Sequence, residues 1–316
     1  MARYLAGRIV QTFLLLFFVA LITFLLMHAV EGGPFEARAG ERGASSSFIA
    51  SQKAYYGLDD PLPLQFVRFL GNLVRGDLGL SFAHPGQRVT DRMLDGMKPS
   101  AILGVMAITI VFAVGIPLGV ISAIRANTRW DYLSLGGSAA LAAVPSFVLA
   151  FGLLLVFSVW LDVFPVRLGK GFGDSLGSLK NGILPALALG APATALLTRL
   201  TRGTMLDVLS MDYIRTARAK GIAERTIYVR HGLRNALIPI LTLVPPIFAG
   251  VITGSIIIES IFALPGIGTA FVTSIFQRDY GVIMGTTLLY ATLIAFANLV
   301  VDIAYGFVDP RIGFGR

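Results

Sequence analysis

The chain has 316 residues, 55% hydrophobic and 14% charged, with a mean hydropathy of +0.76, a formal net charge of +8 and no cysteine. A soluble domain carries about 25% charged residues, so a water-exposed surface could not be covered and a soluble globular protein is excluded. The lack of cysteine also excludes disulfides and thiolate metal sites.

Six runs carry no Lys, Arg, Asp or Glu: Ile9 to Val30, Pro99 to Ile124, Tyr132 to Leu161, Asn181 to Thr198, Asn235 to Ile258 and Gly281 to Val301. A bilayer span needs about 20 apolar residues, and lipid offers no partner to free backbone groups, so each run is predicted to be a helix. The expected fold class is all-α integral membrane with six transmembrane helices. The fourth run is the shortest and holds Pro185 and Pro192. A seventh uncharged stretch, Ser260 to Gln277, is broken by Leu264-Pro265-Gly266 and reads as a loop or re-entrant piece.

The first run follows Arg3 and Arg8, as a secretory signal would. It is too long for such a signal, and His28-Ala29-Val30 lacks small residues at the cleavage spacing, so it reads as a retained helix. After it comes an outer segment, 31–98. There Ala44-Ser45-Ser46-Ser47 reads as flexible, and Tyr55-Tyr56-Gly57-Leu58-Asp59-Asp60-Pro61 as a helix end and turn. Apolar residues at 66, 67, 69, 70, 73 and 74 suit a short amphipathic helix near the interface.

The later runs carry packing devices. Gly115-x-x-x-Gly119, Gly250-x-x-x-Gly254 and Gly281-x-x-x-Gly285 allow close helix contact. Pro117, Pro145, Pro192, Pro245 and Pro246 are positions where a helix loses a hydrogen bond and bends. Both features suit a moving pathway, and both suit plain packing.

Charge gives an orientation. With the N-terminus in the cytoplasm, segments 1–8, 125–131, 199–235 and 309–316 lie inside and hold 14 Lys and Arg against five acids; the outer segments 31–98, 162–182 and 259–280 hold 12 of each sign. The positive-inside rule favours this arrangement, with both termini cytoplasmic. The high isoelectric point then reports topology, and no nucleic-acid partner is expected.

No enzyme signature is present. His28, His84 and His231 offer no H-e-x-x-H spacing, there is no G-x-S-x-G elbow, and none of the five lysines precedes Ser or Thr. A phosphate-binding loop G-x-x-x-x-G-K-[ST] is therefore impossible, and neither a catalytic residue nor a metal ligand is expected. Only Asp302 is embedded in a run, where it can snorkel or pair with Arg311, and Glu259 lies at the outer edge of the fifth run. An ion-coupled carrier keeps several buried carboxylates, which disfavours a secondary carrier or channel. A membrane scaffold or intramembrane enzyme stays open, although no Ser can be paired with a His.

The densest basic stretch, 215–239, reads RTARAKGIAERTIYVRHGLRNALIP and belongs to the inner connection 199–235. Contact with anionic lipid would explain its charge. Its pattern carries more: helix formers from Asp212 to Lys220, then Gly221 as a stop. Ile214, Ala217 and Gly221 fall near one side, with Ala219 close by, ringed by Arg215, Arg218 and Lys220. A second helix is expected from Ile222 toward Asn235, anchored by Ile222, Ile227 and Leu233. The expected object is a rigid elbow with a small-residue knob for a protein partner.

This stretch resembles the cytoplasmic EAA loop of binding-protein-dependent ABC importer permeases, whose pattern is Glu-Ala-Ala-x-x-x-Gly-x9-Ile-x-Leu-Pro. Arg215-Thr216-Ala217-x-x-x-Gly221 fills the first half, and His231-x-Leu233-Arg234-Asn235 the second, in the form typical of the dipeptide/oligopeptide/nickel branch. Gly76-Asp77-Leu78-Gly79-x-Ser81, Pro99-Ser100-Ala101, Glu259-Ser260-Ile261-Phe262-x-Leu264-Pro265-Gly266-Ile267-Gly268 and Asp309-Pro310-Arg311-Ile312 are similar to other segments of that branch.

The resemblance implies the type I ABC importer permease fold in its B-type form. Residues 1–98 would hold the first helix and extracytoplasmic segment, 99–310 a five-helix core with the coupling loop 199–235, and 311–316 a cytoplasmic tail. It implies a bacterial or archaeal cell (inner) membrane and three kinds of partner: a second permease subunit, two cytoplasmic ABC ATPase subunits that hold ATP and Mg, and an extracytoplasmic solute-binding protein. This chain would bind no cofactor. Arg215, Thr216, Ala217, Arg218, Lys220, Gly221, His231 and Asn235 would serve ATPase coupling, and Glu259, Pro265 and Gly266 would lie near solute release. Di- or oligopeptides are the expected cargo, with nickel or glutathione as alternatives.

Overall fold

The computed structural model describes residues 2–30, 33–35, 46–169, 171–241 and 244–308. The side chain of Asp302, the residues Ala44 and Ser45 and the ending Asp309-Pro310-Arg311-Ile312 lie outside what is described. The regular secondary structure of the described residues is helical, apart from one isolated antiparallel bridge between Leu80 and Arg88. They form two compact units. One takes residues 1–100 and 265–295; the other takes residues 101–264 and the last helix from Phe296 on.

In the first unit, α1 (Ala2–Ala29) is followed by α2 (Ser46–Tyr56) and α3 (Leu62–Val74). Pro61 caps α3 and proline occupies its first turn, where no N–H is needed. The expected amphipathic helix is therefore present and begins at Leu62. Phe66 and its neighbours Phe69, Leu70 and Leu73 pack with Ala20, Phe24 and Met27 of α1 and with Tyr280, Met284 and Leu288. Ser46 and Ser47, expected to be flexible, begin α2.

Helix α4 (Val89–Ile124) starts ten residues before Pro99 and runs without a break through Pro117. At 1.5 Å per residue its length, about 54 Å, exceeds a bilayer core of about 30 Å. Two later elements complete this unit: α12 (Ile267–Phe276) and the first part of α13 (Tyr280–Val308). Gly281 and Gly285 of α13 lie against Val89 and Met93, so tightly that a Cβ at Gly281 would come within 2.9 Å of Val89.

In the second unit, the predicted run Tyr132–Leu161 is helical and bends at Pro145, one of the prolines expected to bend a helix. It is a broken pair, α5 (Arg129–Ala143) and α6 (residues 146–160), bent by 101°. The break falls at Val144-Pro145, with Val144 extended at φ −88° and ψ 122°. Proline has no N–H for the helix ladder and pushes the residue before it out of the α region. The end of α6, Leu155–Trp160, is π-helical.

A short α7 (Leu176–Asn181) leads to α8 (Ile183–Leu209). The predicted fourth run thus continues past Thr198 to Leu209, and Pro192 is accommodated inside it. Its Leu184, Ala188 and Leu197 pack with Leu103, Ala107 and Val111 of α4 and with Ile247, Val251 and Ile258. The last three belong to α11 (Val244–Ile261). Gly115 and Gly119 of α4 lie against Leu197, Thr198 and Thr201 of α8, the close approach expected of that pair, whereas a Cβ at Gly250 would meet nothing within 4 Å among the described residues.

Among the described residues, four helices are long and apolar enough to cross a membrane, or five if the bent pair counts as one span. The chain is an all-α, multi-pass membrane protein.

Candidate functional site

The basic connection folds into two short helices on the end of α8. The first, α9 (Asp212–Ala219), starts two residues after α8 stops at Leu209 and Ser210 caps it. Asp212 lies in its first turn, where a carboxylate suits the helix dipole. Its stop is a Schellman turn. The N–H of Gly221 donates to the Arg218 carbonyl at 2.9 Å, and the N–H of Ile222 to the Ala217 carbonyl at 3.2 Å. Gly221 has φ +73°, the left-handed region that glycine enters without a Cβ penalty.

The second helix, α10 (residues 224–241), begins at Glu224, two residues later than Ile222, because Ala223 is its cap. It passes through a π-helical stretch, Ile227–Leu233, into Arg234–Leu241. Gly232 of that stretch is buried, and a Cβ there would meet the Met205 side chain of α8 at 3.1 Å. Ala123, Met205, Val208 and Ala236 bury together, so α10 rests on the ends of α4 and α8.

Between α9 and α10 lies a small apolar seam of Ile214, Ala217 and Ile227, flanked by Leu209 and Ile222. The expectation of an outward knob is corrected here: Ala217 faces inward, and its small side chain admits α10. Of the anchors expected on the second helix, Ile227 is fully buried and Leu233 packs with the cluster below.

Polar clips close the seam. The Tyr213 hydroxyl donates to the His231 carbonyl at 3.2 Å. The Asn235 amide donates to that carbonyl at 2.9 Å and to the Tyr213 hydroxyl at 2.8 Å. His231 therefore acts here through its backbone. Arg218 grips Glu224 at 2.8 and 3.4 Å. That hydrogen bond is the main reason the Glu224 carboxyl is held below its ordinary range and the Arg218 guanidinium is raised. Burial, first, and Glu224, second, push the Tyr228 phenol up. Arg215, Thr216, Lys220 and Gly221 remain exposed on the other side of α9.

The remaining predicted residues lie elsewhere in the chain. Glu259, expected at an edge, is fully buried in the last turn of α11, and its carbonyl accepts the Leu264 N–H at 2.8 Å. Pro265 and Gly266 lead into α12, with Gly266 as its cap. The Ser100 hydroxyl accepts the Ile267 N–H at 2.9 Å, and a Cβ at Gly96 would come within 3.0 Å of that nitrogen.

One cluster was not expected from sequence. Arg202 of α8 donates through Nε and Nη2 to the two oxygens of Asp131 at 2.7 and 2.8 Å. Ser122 donates to the same carboxylate at 2.5 Å and the Asn127 N–H at 2.9 Å. Both charges had counted only toward topology, and a separation of 71 residues leaves no local pattern to read. The one local signal is an acid in the first turn of α5, behind Asn127 at φ +61°.

Residues 115–314 match the family model described as "Binding-protein-dependent transport system inner membrane component", and residues 1–88 match the N-terminal model of such membrane components. The chain is 40% identical over 312 residues to the dipeptide transport system permease protein DppB of Bacillus subtilis, covering 99% of this chain and 98% of that protein. It is 38% identical over 314 residues to the oligopeptide transport system permease protein OppB of Salmonella typhimurium, covering 99% and 100%. To the oligopeptide permease protein AppB of Bacillus subtilis it is 37% identical over 321 residues, again covering 99% and 100%.

Proposed function

The chain belongs to the inner membrane components of binding-protein-dependent transport systems, and on that premise we propose that it imports di- or oligopeptides by coupling α9 and α10 to a separate ATPase. It is the permease subunit of an ABC importer, and ATP is hydrolysed by other subunits. The peptide cargo is supported by relatives named for dipeptide and oligopeptide transport that align over nearly their whole length.

The observation that carries the coupling reading is the α9–α10 elbow. It is clamped internally by Tyr213, Asn235 and the Arg218–Glu224 pair, yet leaves Arg215, Thr216, Lys220 and Gly221 exposed. A rigid exposed element loses little entropy on docking. Ala217, His231 and Asn235 hold its shape; the exposed residues meet a groove of the ATPase, with Arg218 at their edge. Closure of two ATP-loaded ATPase subunits would draw such elbows together and turn the cavity of the permease pair from inward- to outward-facing. The docked binding protein then releases its solute. Pro265 and Gly266 belong to the outer loop that receives it, and Glu259 lies in the last turn of α11 just before that loop.

The topology that goes with this reading has six spans, one plus five, with both termini in the cytoplasm. Residues 1–98 form the first helix and outer segment, 99–310 the core and 311–316 the tail. A second, different permease chain completes the pathway.

Gly221→Asp tests the reading. The chain should reach the membrane in normal amount and lose its ATPase subunit on co-purification. Retention of the ATPase with normal peptide uptake would sink the assignment.

A further inference from the structure

The Asp131 cluster lies where three helices meet. Ser122 is near the end of α4, Asp131 is in the first turn of α5 and Arg202 is in α8. The Asp131 side chain is 1% exposed and that of Arg202 is 22% exposed. Two guanidinium donors, one hydroxyl and one backbone N–H occupy the carboxylate's acceptor positions, and Asn127 adopts φ +61° in the turn that supplies that N–H. One turn earlier in α4, Gly119 is packed so closely on α8 that a Cβ would lie 2.5 Å from Thr201.

A buried ion pair is a poor means of adding stability, because apolar groups of the same volume hold helices with less desolvation. What a bidentate pair fixes is register and orientation, since its planar fork tolerates neither sliding nor rotation. Arg202 lies seven residues before Leu209, about 10 Å along a continuous helix that ends two residues short of α9. On the other side, Asp131 opens α5, the arm that reaches the 101° break at Val144-Pro145.

We propose that Asp131 and Arg202 are a positioning pair that transmits displacement of the α9–α10 elbow through α8 into the broken α5–α6 helix. They are coupling residues of the transport cycle that touch neither ATPase nor solute. The proposal rests on the reading of α9 and α10 as the ATPase contact. When the elbow moves, α8 moves with it, and the pair obliges α5 to follow as one body. The break at Pro145 is then the place where that displacement is taken up.

The test uses the complete complex of both permease chains, the ATPase subunits and the binding protein in proteoliposomes, with a labelled peptide retained by that binding protein. The double variant Asp131→Asn, Arg202→Gln removes both charges, so neither is left alone in the interior. The ATPase subunits should co-purify as before and ATP hydrolysis should stay within about twofold, while peptide imported per ATP falls about fivefold or more. Arg202→Lys, which keeps the charge but loses the fork, should fall between. An unchanged import-to-ATP ratio overturns the proposal, as does an equal loss of both activities or a loss of the ATPase subunits, because each marks an assembly or stability contact. Failure of the docking reading is separate: it appears as ATPase retention by Gly221→Asp, whatever the ratio in the double variant.

Discussion

The Ser81 hydroxyl hydrogen-bonds the carboxylate of Asp279, 198 residues away, and the same carboxylate accepts the N–H groups of Phe82 at 3.0 Å and Ala83 at 3.2 Å. Asp279 is 1% exposed and directly precedes α13. The loop of the Gly76-to-Ser81 motif is thus tied to the entrance of the last helix. Asp279→Ala would remove the acceptor of four donors, the Val282 N–H at 3.3 Å being the fourth, at about 1–3 kcal/mol for each that finds no other partner. A lower unfolding midpoint in detergent and faster proteolysis between 76 and 88 are expected. Ser81→Ala removes one of those donors and also the acceptor of the His84 N–H at 3.0 Å, so it should cost about 1–3 kcal/mol.

Close packing of α4 on α8 makes a paired prediction. Gly119→Ala would place a Cβ 2.5 Å from Thr201 Cβ and 2.7 Å from the Thr198 carbonyl oxygen, so α8 itself must shift. Among the described residues, the Cβ of Gly250→Ala would meet nothing within 4 Å. Overpacking of this kind costs about 1–3 kcal/mol. Folded yield of the Gly119 variant should fall while that of the Gly250 variant holds, as read by size-exclusion profiles of the purified chains.

Gly221 separates backbone from side-chain effects. With φ +73° and open space around it, Gly221→Ala suffers only the left-handed backbone cost of about 1–2 kcal/mol. Gly221→Asn tolerates that conformation better. ATPase co-purification should be reduced more by Ala than by Asn if helix termination is what matters, and equally by both if side-chain bulk is.

The Arg218–Glu224 clip gives a pH dependence with a definite sign. Glu224 is held below its ordinary value by Arg218. Its contribution is therefore fully present above the unfolded pKa, about 4.3, and is lost as pH falls through the lower folded value. Hydrogen exchange across residues 212–226 should be flat in pH-corrected protection from pH 8 to 6 and loosen only in the acid range. The exposed pair contributes little to global stability, so the unfolding midpoint should barely follow. Loosening at pH 7 would contradict this assignment.

The seam beneath α9 is tested from inside. Ile214→Ala removes a fully buried side chain from a cluster of three. A loss of about 2–5 kcal/mol of local stability is expected, seen as raised exchange in α9 and α10 without a change in α4.

What sequence reasoning could reach was local. A helix stop at Gly221 follows from a run of helix formers and one glycine, and the break at Pro145 follows from the missing N–H of proline. The amphipathic α3 was readable from its apolar spacing, although Pro61 moved its start to Leu62. What escaped was set by partners distant along the chain. Ala217 reads as a surface residue until Ile227 folds over it, and Asp131 reads as a topological charge until Arg202 arrives from 71 residues away. Ser81 and Asp279 belong to the same class.

The elbow at Val144-Pro145 has one more consequence. Proline offers no hydrogen to the carbonyl four residues earlier, that of Leu141, and the residues from Ala142 to Pro145 are exposed on this chain. Hydrocarbon cannot satisfy such a group. If that corner sits at the depth of the hydrocarbon, another polypeptide or a wet passage has to satisfy it, and a solitary copy of this chain in a bilayer would be incomplete there before any cargo arrives.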